Sequence, residues 1–280
     1  MANTIISPAV YSKKWLKNYD QSQVMADLVS TTYQGDMMEN GDTLYAQKFS
    51  NVTISTYTPG SDISVQSLTM TNQSISINQK KAALGVIDAT EIRQSHLPLV
   101  NGFMKRFAMG FGATIDDRLL GHYADVDSGN ILGSDAAPIA ITKDNVYDYF
   151  VEARKMLKVD GVPFQGLVAV VDEDTESAIL RSPDFVKATQ TGDQVVRKGE
   201  IGSLAGFRVV TSPRIATVSG VRHQMFFQPE FIELVVQLDY ENLLQTYKPE
   251  KQFGTGIKGL ALYGSAVLQT TAGVVLKKAA

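Results

Sequence analysis

Gly254-Thr-Gly256-Ile-Lys-Gly259 reproduces, letter for letter, the glycine spacing of a dinucleotide-binding turn. That chemistry needs a strand before the glycines and a helix after them, so that phosphate meets the positive end of the helix. Here a polar stretch, Lys248 to Gln252, comes first and strand-like sequence follows, so the pattern reads as a false match. Asp172 and Asp174 follow an apolar strand, where a metal-binding pair could sit. They also precede a helix, where acids cap free N–H groups and complement the dipole, and capping is the preferred reading. Asp116 and Asp117 are neighbours on a helix, point about 100° apart and cannot share a proton, so they read as a polar helix face. Of the three histidines, His96, His122 and His223, none has a partner at metal-ligand spacing. The chain has no cysteine, which excludes disulfides and thiolate chemistry. There is no Walker-type loop and no G-x-S-x-G elbow. The sequence offers no catalytic, cofactor-binding or metal-binding residue, and a protein that is not an enzyme is expected.

The bulk composition agrees. With 280 residues, 44% hydrophobic and 20% charged, the chain is ordinary globular material. A fold of this size buries roughly 70–75% of its unfolded surface and needs no staples. A net charge of −3 argues against a protein whose task is gripping nucleic acid. The basic dipeptides Lys13-Lys14, Lys80-Lys81, Lys105-Arg106 and Lys277-Lys278 read as solvated surface. Met1 to Tyr11 does not read as a secretory signal, and no apolar run approaches the roughly 20 residues of a membrane span. The expectation is a soluble protein made in the cytosol, with no membrane contact.

Several elements are legible. A short helix is expected over Gln23–Tyr33, stopped by Gly35, and Gly41-Asp42-Thr43 introduces a strand through Phe49. From Asn51 to Gln79, 17 of 29 residues are Ser, Thr, Asn or Gln and Asp62 is the only charge, so this stretch cannot bury much of itself. Alternation in Val52-Thr53-Ile54, Ile63-Ser64-Val65 and Ser74-Ile75-Ser76-Ile77, with a Pro59-Gly60 turn, predicts a long β-hairpin. Such a hairpin is unstable alone in water and presents an open edge, so it is expected to lie on another subunit. Asp88 to Asp125 is helical territory, with a stripe of Val100, Phe103, Met104, Phe107, Phe111, Ile115 and Leu119. Pro98 fits its first turn, and a helix of about 25 residues would be roughly 38 Å long. Gly102, Gly110 and Gly112 weaken it and are expected at close packing contacts.

Beyond the loop Asp125–Ala137, Thr142 is expected to cap a helix with Val146, Tyr149, Phe150, Ala153, Met156 and Leu157 inward. Leu167–Val171 is a buried strand, followed by a helix through Leu180 and a short one from Ser182-Pro183. Phe207–Val210 and Met225–Phe227 are strands, and Pro229–Leu238 reads as a helix with Phe231, Leu234, Val235 and Leu238 inward. The chain closes with strands Leu260–Gln269 and Val274–Leu276 around a Thr270–Gly273 turn. The class is mixed α+β without internal repeats.

This order of elements resembles the major capsid protein of tailed bacteriophages. Gly41-Asp42-Thr43 through Asn51-Val52-Thr53-Ile54 resembles the strand entering that family's extended loop, and Lys80 to Ile92 the return into its long helix. Gly199-Glu200-Ile201-Gly202 with Gly206-Phe207-Arg208-Val209 and Ser212 resembles a stretch of the axial domain, and Gly259 to Leu276, with Tyr263-Gly264, the closing strands. The resemblance implies an N-terminal arm (1–35), an extended β-hairpin loop (36–85), a peripheral domain around a long spine helix (86–140 with 241–280) and an axial domain (141–240). It implies a subunit that self-assembles into pentamers and hexamers of an icosahedral shell, in the virion capsid, after synthesis and assembly in the bacterial host cytoplasm. The shell would enclose double-stranded DNA without sequence-specific binding and without a cofactor. Some relatives carry an N-terminal scaffolding segment of about a hundred residues; here a separate scaffolding protein and a portal are the expected partners. Lys80 and Lys81 lie at the base of the hairpin, so the lysine crosslink of some relatives is not expected.

Two other readings compete. An encapsulin-type cellular compartment uses the same fold, and fold alone does not separate them. A soluble enzyme of unrecognised fold would have to explain the apolar-poor hairpin. For a shell subunit, the expected inter-subunit contacts are Trp15 and Leu16 in the arm and Tyr57, Ile63, Val65, Leu68 and Met70 in the hairpin.

Overall fold

The computed structural model describes residues 24–34, 43–50, 52–60, 62, 65–94, 99–182, 202–238 and 244–279. A hairpin comes first, made of β1 (Thr43–Phe49) and β2 (Met70–Ser76), paired antiparallel from Thr43 opposite Ser76 to Phe49 opposite Met70. Its ladder is therefore nearer the body than expected. Val52-Thr53-Ile54 forms no strand, since the ladder ends at Phe49 opposite Met70. Then β3 (Gln79–Asp88) runs into α1 (Ala89–Gln94) and α2 (Leu99–Leu120). At 22 residues α2 is about 33 Å long.

The larger sheet has seven strands: β4 (Ile131–Leu132), β5 (Val168–Val171), β6 (Ser203–Leu204), β7 (Phe207–Thr211), β8 (Thr217–Val218), β9 (Val221–Phe227) and β13 (Gly273–Ala279). Its spine runs β4-β13-β9-β5-β7-β6, with β8 on β9. Two helices, α3 (Val146–Val159) and α4 (Glu173–Arg181), accompany it. Both faces are buried, which is why Leu167–Val171 reads as a continuous apolar run. Ala169 and Val171 pack with Phe150, Ala153 and Leu157 of α3, whereas Val168 and Val170 join the cluster around Phe111, Ile115 and Leu119 of α2. On the α3 side Phe150, Phe207 and Phe226 meet edge to face, with centroids 4.9 to 6.1 Å apart.

The smaller sheet is organised by β12 (Gly254–Val267), which pairs with β10 (Ile232–Leu238), β11 (Gln245–Tyr247) and β3. The expected helix over Pro229–Leu238 is thus a strand preceded by one 3₁₀ turn, Pro229–Phe231. Its apolar spacing mimicked a helix because both strand faces are buried. Ile232 and Leu234 enter the main core, while Val235 packs with Ile75 and Ile77 at the hairpin base. The ladders also interleave the sequence: β13, the last strand, sits in the larger sheet, and β10 in the smaller.

Three further local expectations are corrected. Residues 24–34 form turns, not a helix, because Ser30 exchanges backbone hydrogen bonds with Ile232 and Leu234 of β10. The cap of α3 falls at Asn145, whose Oδ1 accepts the Thr142 N–H at 2.7 Å, so Thr142 closes the preceding turn. Gly110 faces open space rather than a packed neighbour. The first half of α2 is correspondingly bare: burial begins at Phe111, and Phe103 and Met109 stay exposed. Pro98 and the helix expected after Ser182-Pro183 lie outside the described residues.

The glycines of β12 and α2 give opposite mutational expectations. A Cβ on Gly259 would lie 2.7 Å from the Phe111 ring and 3.0 Å from Leu244. Gly259→Ala is expected to destabilise by about 1–3 kcal/mol through overpacking. Gly110→Ala is expected to stabilise the isolated subunit by up to about 1 kcal/mol, through helix propensity alone. Urea unfolding of the two variants beside the parent checks both signs.

Candidate functional site

The residues that resembled chemical motifs are used for packing and fastening. Gly254, Gly256 and Gly259 all lie on β12, where a Cβ would collide with the Ile87 carbonyl, the Tyr247 ring and the Phe111 ring respectively. Their spacing is that of close neighbours along a strand, and no helix follows. Among the described residues, no group of three or more His, Asp or Glu is placed to hold a metal ion, and no helix is long and apolar enough to cross a membrane.

Asp172 caps α4 as the sequence suggested, its Oδ1 accepting the Thr175 N–H at 2.9 Å and Gln224 Nε2 at 2.8 Å. Its Oδ2 accepts Lys278 Nζ and Arg222 Nη1, both at 2.5 Å. Asp174 lies behind the same two cations at 3.3 and 3.0 Å. Lys278 is therefore buried, and Lys277 pairs with Asp135 at 2.7 Å, so this dipeptide is not the solvated surface expected. Burial pushes the Asp172 carboxyl up, but hydrogen bonds from Lys278, Thr175 and Arg222 together outweigh it and hold the group below its ordinary range. The acid pair is an ionic lock between α4 and the closing strand β13.

Asp116 is another correction. It is buried, not part of a polar face, and accepts the N–H groups of Val24 at 2.9 Å and Met25 at 3.2 Å. Burial pushes its carboxyl up despite those bonds. Glu233, fully buried on β10, accepts the Tyr33 N–H at 2.7 Å. Two buried acids thus hold the two ends of segment 24–34, while Met25, Leu28 and Val29 fill the core between them. Asp117 faces outward to Arg214 at 2.7 Å.

His122 has a triad-like arrangement that the sequence did not reveal. Its Nδ1 lies 2.7 Å from Asp125 Oδ2 and its Nε2 2.7 Å from Ser265 Oγ. Burial lowers its pKa, so the neutral ring donates to Asp125 and accepts from Ser265. Ser265 is itself buried on β12 with its hydroxyl committed to the ring. The arrangement fastens the 3₁₀ turn Gly121–Asp125 to the sheet. His223 is likewise structural, stacked 4.1 Å from Tyr123. His96 lies outside the described residues.

What the body does not use is the tip of the hairpin. Val65 is 98% exposed, Ile54 94% and Leu68 73%, and Tyr57, Met70, Val52 and Phe49 are also exposed. The hairpin base is anchored: Ile75 is fully buried, and Gln73 Nε2 donates to the Val267 carbonyl at 2.9 Å. Of the expected contact residues, Tyr57, Val65, Leu68 and Met70 lie together on this exposed ribbon, while Trp15, Leu16 and Ile63 are outside the described residues. On the body, β3 pairs, among the described residues, with β12 on one side, and Leu84 is exposed upon it. One apolar groove beside β3 is lined by Ala82, Leu84, Gln245 and Leu260, another by Ala83, Phe107, Gly110 and Phe111. Exposed apolar side chains and grooves of this kind are candidates for contact with another macromolecule.

A family model described as phage capsid protein matches residues 71–276. No curated protein matches the chain. Among solved structures, one from Mycobacterium phage Che8 superposes with a TM-score of 0.83 at 23% identity over 98% of each chain. The capsid of cyanophage P-SCSP1u gives 0.78 at 14% identity, over 98% of this chain and 93% of that one. The capsid of Ralstonia phage GP4 gives 0.74 at 11%, over 99% and 96%. At these identities the superpositions establish the fold.

The lock around Asp172 predicts a pH profile. Lys278→Met leaves a buried carboxylate with Arg222 as its remaining nearest cation and is expected to cost about 3 kcal/mol at neutral pH. Because the Asp172 pKa is lowered on folding, its stabilisation is present above the ordinary value of 3.8 and lost as the pH falls through the depressed folded value. His122, whose pKa also falls on folding, begins to subtract stability earlier, below 6.5. Denaturant midpoints from pH 7 to pH 3 should decline in those two stages, offset in part by Asp116, whose raised carboxyl gains stability as it protonates, and the lower stage should shrink in Lys278→Met.

Proposed function

The chain belongs to the phage capsid protein family and serves as a major capsid protein, and we propose that its copies join through the hairpin tip into an icosahedral shell of pentamers and hexamers around double-stranded DNA. The observation that carries the reading is the exposed apolar ribbon at the tip, on a hairpin whose base is locked to the body. In this reading residues 36–85 are an extended loop lying over the next subunit, and the grooves beside β3 receive it. Residues 1–35 are the arm, 86–140 with 241–280 the peripheral domain around α2, and 141–240 the axial domain at the five- and six-fold axes. Such contacts join two different surfaces of identical subunits, and they make a closed shell when the rotation they impose closes.

A net charge of −3 suits a container that holds DNA without gripping it. Assembly in the host cytoplasm, with a separate scaffolding protein and a portal as partners, belongs to the same reading. The family is structural, and it favours the phage shell over a cellular compartment or an enzyme.

The decisive measurement is native mass by light scattering combined with negative-stain microscopy. Megadalton spheres, or discrete pentamers and hexamers, are expected. A monomer that never assembles, even with crowding agents, would overturn the reading. Val65→Asp combined with Leu68→Asp touches only exposed positions, so the subunit's stability should stay within about 0.5 kcal/mol per site. The same pair should abolish particles, because it places two charges in the contact.

A further inference from the structure

The hairpin ladder ends where Phe49 meets Met70. One backbone bond lies beyond it, Ser50 N–H to the Thr69 carbonyl at 2.9 Å, seconded by Thr69 N–H on Ser50 Oγ at 3.2 Å. From there to the Pro59-Gly60 turn, no strand pairing continues among the described residues. Gln66 takes over at that point. Its Oε1 accepts the Thr53 N–H at 3.0 Å, and its Nε2 donates to the Thr53 carbonyl.

A glutamine side-chain amide carries the same donor and acceptor as a peptide group. Gln66 therefore supplies one rung of a ladder from a side chain instead of a backbone. Two-stranded ribbons paired through their backbones twist strongly. A rung made by a side chain spans a wider gap than a backbone pair and so holds the legs farther apart, with Val52, Ile54, Val65 and Leu68 exposed beside it. Glycine at position 60, with φ +89°, lets the chain reverse between the separated legs.

We propose that Gln66 is the positioning residue of the assembly surface: its amide clamp on Thr53 sets the separation of the two legs, so that the tip meets a neighbouring copy already shaped. This inference rests on the shell-building role proposed above. Because both partners are exposed, the clamp contributes little to folding. Its effect falls on association, where a preformed loop removes the ordering cost that a floppy one would bring.

The test compares Gln66→Ala and Gln66→Glu with the parent, as full chains. Three quantities are read: amide hydrogen exchange at Thr53 in unassembled protein, the thermal midpoint, and the protein concentration at which particles appear. For Gln66→Ala, Thr53 exchange should quicken at least about fivefold, the midpoint should hold, and the assembly threshold should rise about tenfold, equivalent to ~1.4 kcal/mol. Gln66→Glu keeps the acceptor and loses the donor, so it should fall between. Assembly of Gln66→Ala at the parental threshold would overturn the proposal, as would unchanged exchange at Thr53. A parent chain that stays monomeric would overturn the shell-building reading and the assembly role with it, while Thr53 exchange would still report the clamp by itself.

Discussion

The hairpin joins the body at Gly264, where even a methyl group would collide with the carbonyl of Ser76. That close approach depends on β12, and most of the molecule depends on β12 in turn. One strand pairs with β3, β10 and β11 and packs against α2, so the hairpin base, the long helix and the smaller sheet share a single support. Its glycines are needed because three elements press on it from different sides. Any one of them could tolerate a side chain only by moving away from the other two. The shape of the subunit, and the direction in which the hairpin projects, are set there.

This explains which parts of the fold were legible from sequence. Local signals worked where the answer is local. The alternation of Ser74-Ile75-Ser76, the stripe of α3, the cap at Asp172 and the turn at 270–273 all sit within a few residues of the groups they organise. They failed where a distant partner decides. Phe231, Leu234 and Val235 have helical spacing, yet two unrelated clusters bury the two faces of a strand there. Lys278 and Asp172 are 106 residues apart, and Asp116 and Met25 are 91 apart, so neither burial had a sequence signature. The exposure of the tip was legible for a simpler reason. A stretch with one charge, many hydroxyls and amides, and a few apolar residues cannot bury itself, and only another surface relieves it.

The chain also separates the groups that hold the subunit together from those left for assembly. Buried acids sit in the body, each with donors around it: Asp172 with two cations, Asp116 with two amides, Glu233 with one. Losing one partner of such a group leaves an uncompensated charge, which makes the body intolerant of change. The tip carries almost no charge, and its apolar residues contribute nothing to folding while they face water. In the proposed assembly their stabilisation would appear when a second copy covers them. Folding and assembly therefore draw on different residues, and a substitution in the tip can weaken one without the other.

An exposed apolar ribbon beside unpaired backbone is also a hazard, since such edges pair indiscriminately. Three features of this tip limit that. Pro59 removes one donor at the turn, the hydroxyls and amides between the apolar residues favour water until a matching surface is met, and the legs do not form a continuous strand. Heterologous contacts close only if each subunit imposes the same rotation on the next; a contact of variable angle gives open or irregular polymers instead. A sticky tip on a loose stalk would satisfy its apolar residues at many angles. Here the tip is held by a ladder, a buried Ile75 and a Gln73 anchor, and in the proposed shell that restriction would favour one angle of association over many.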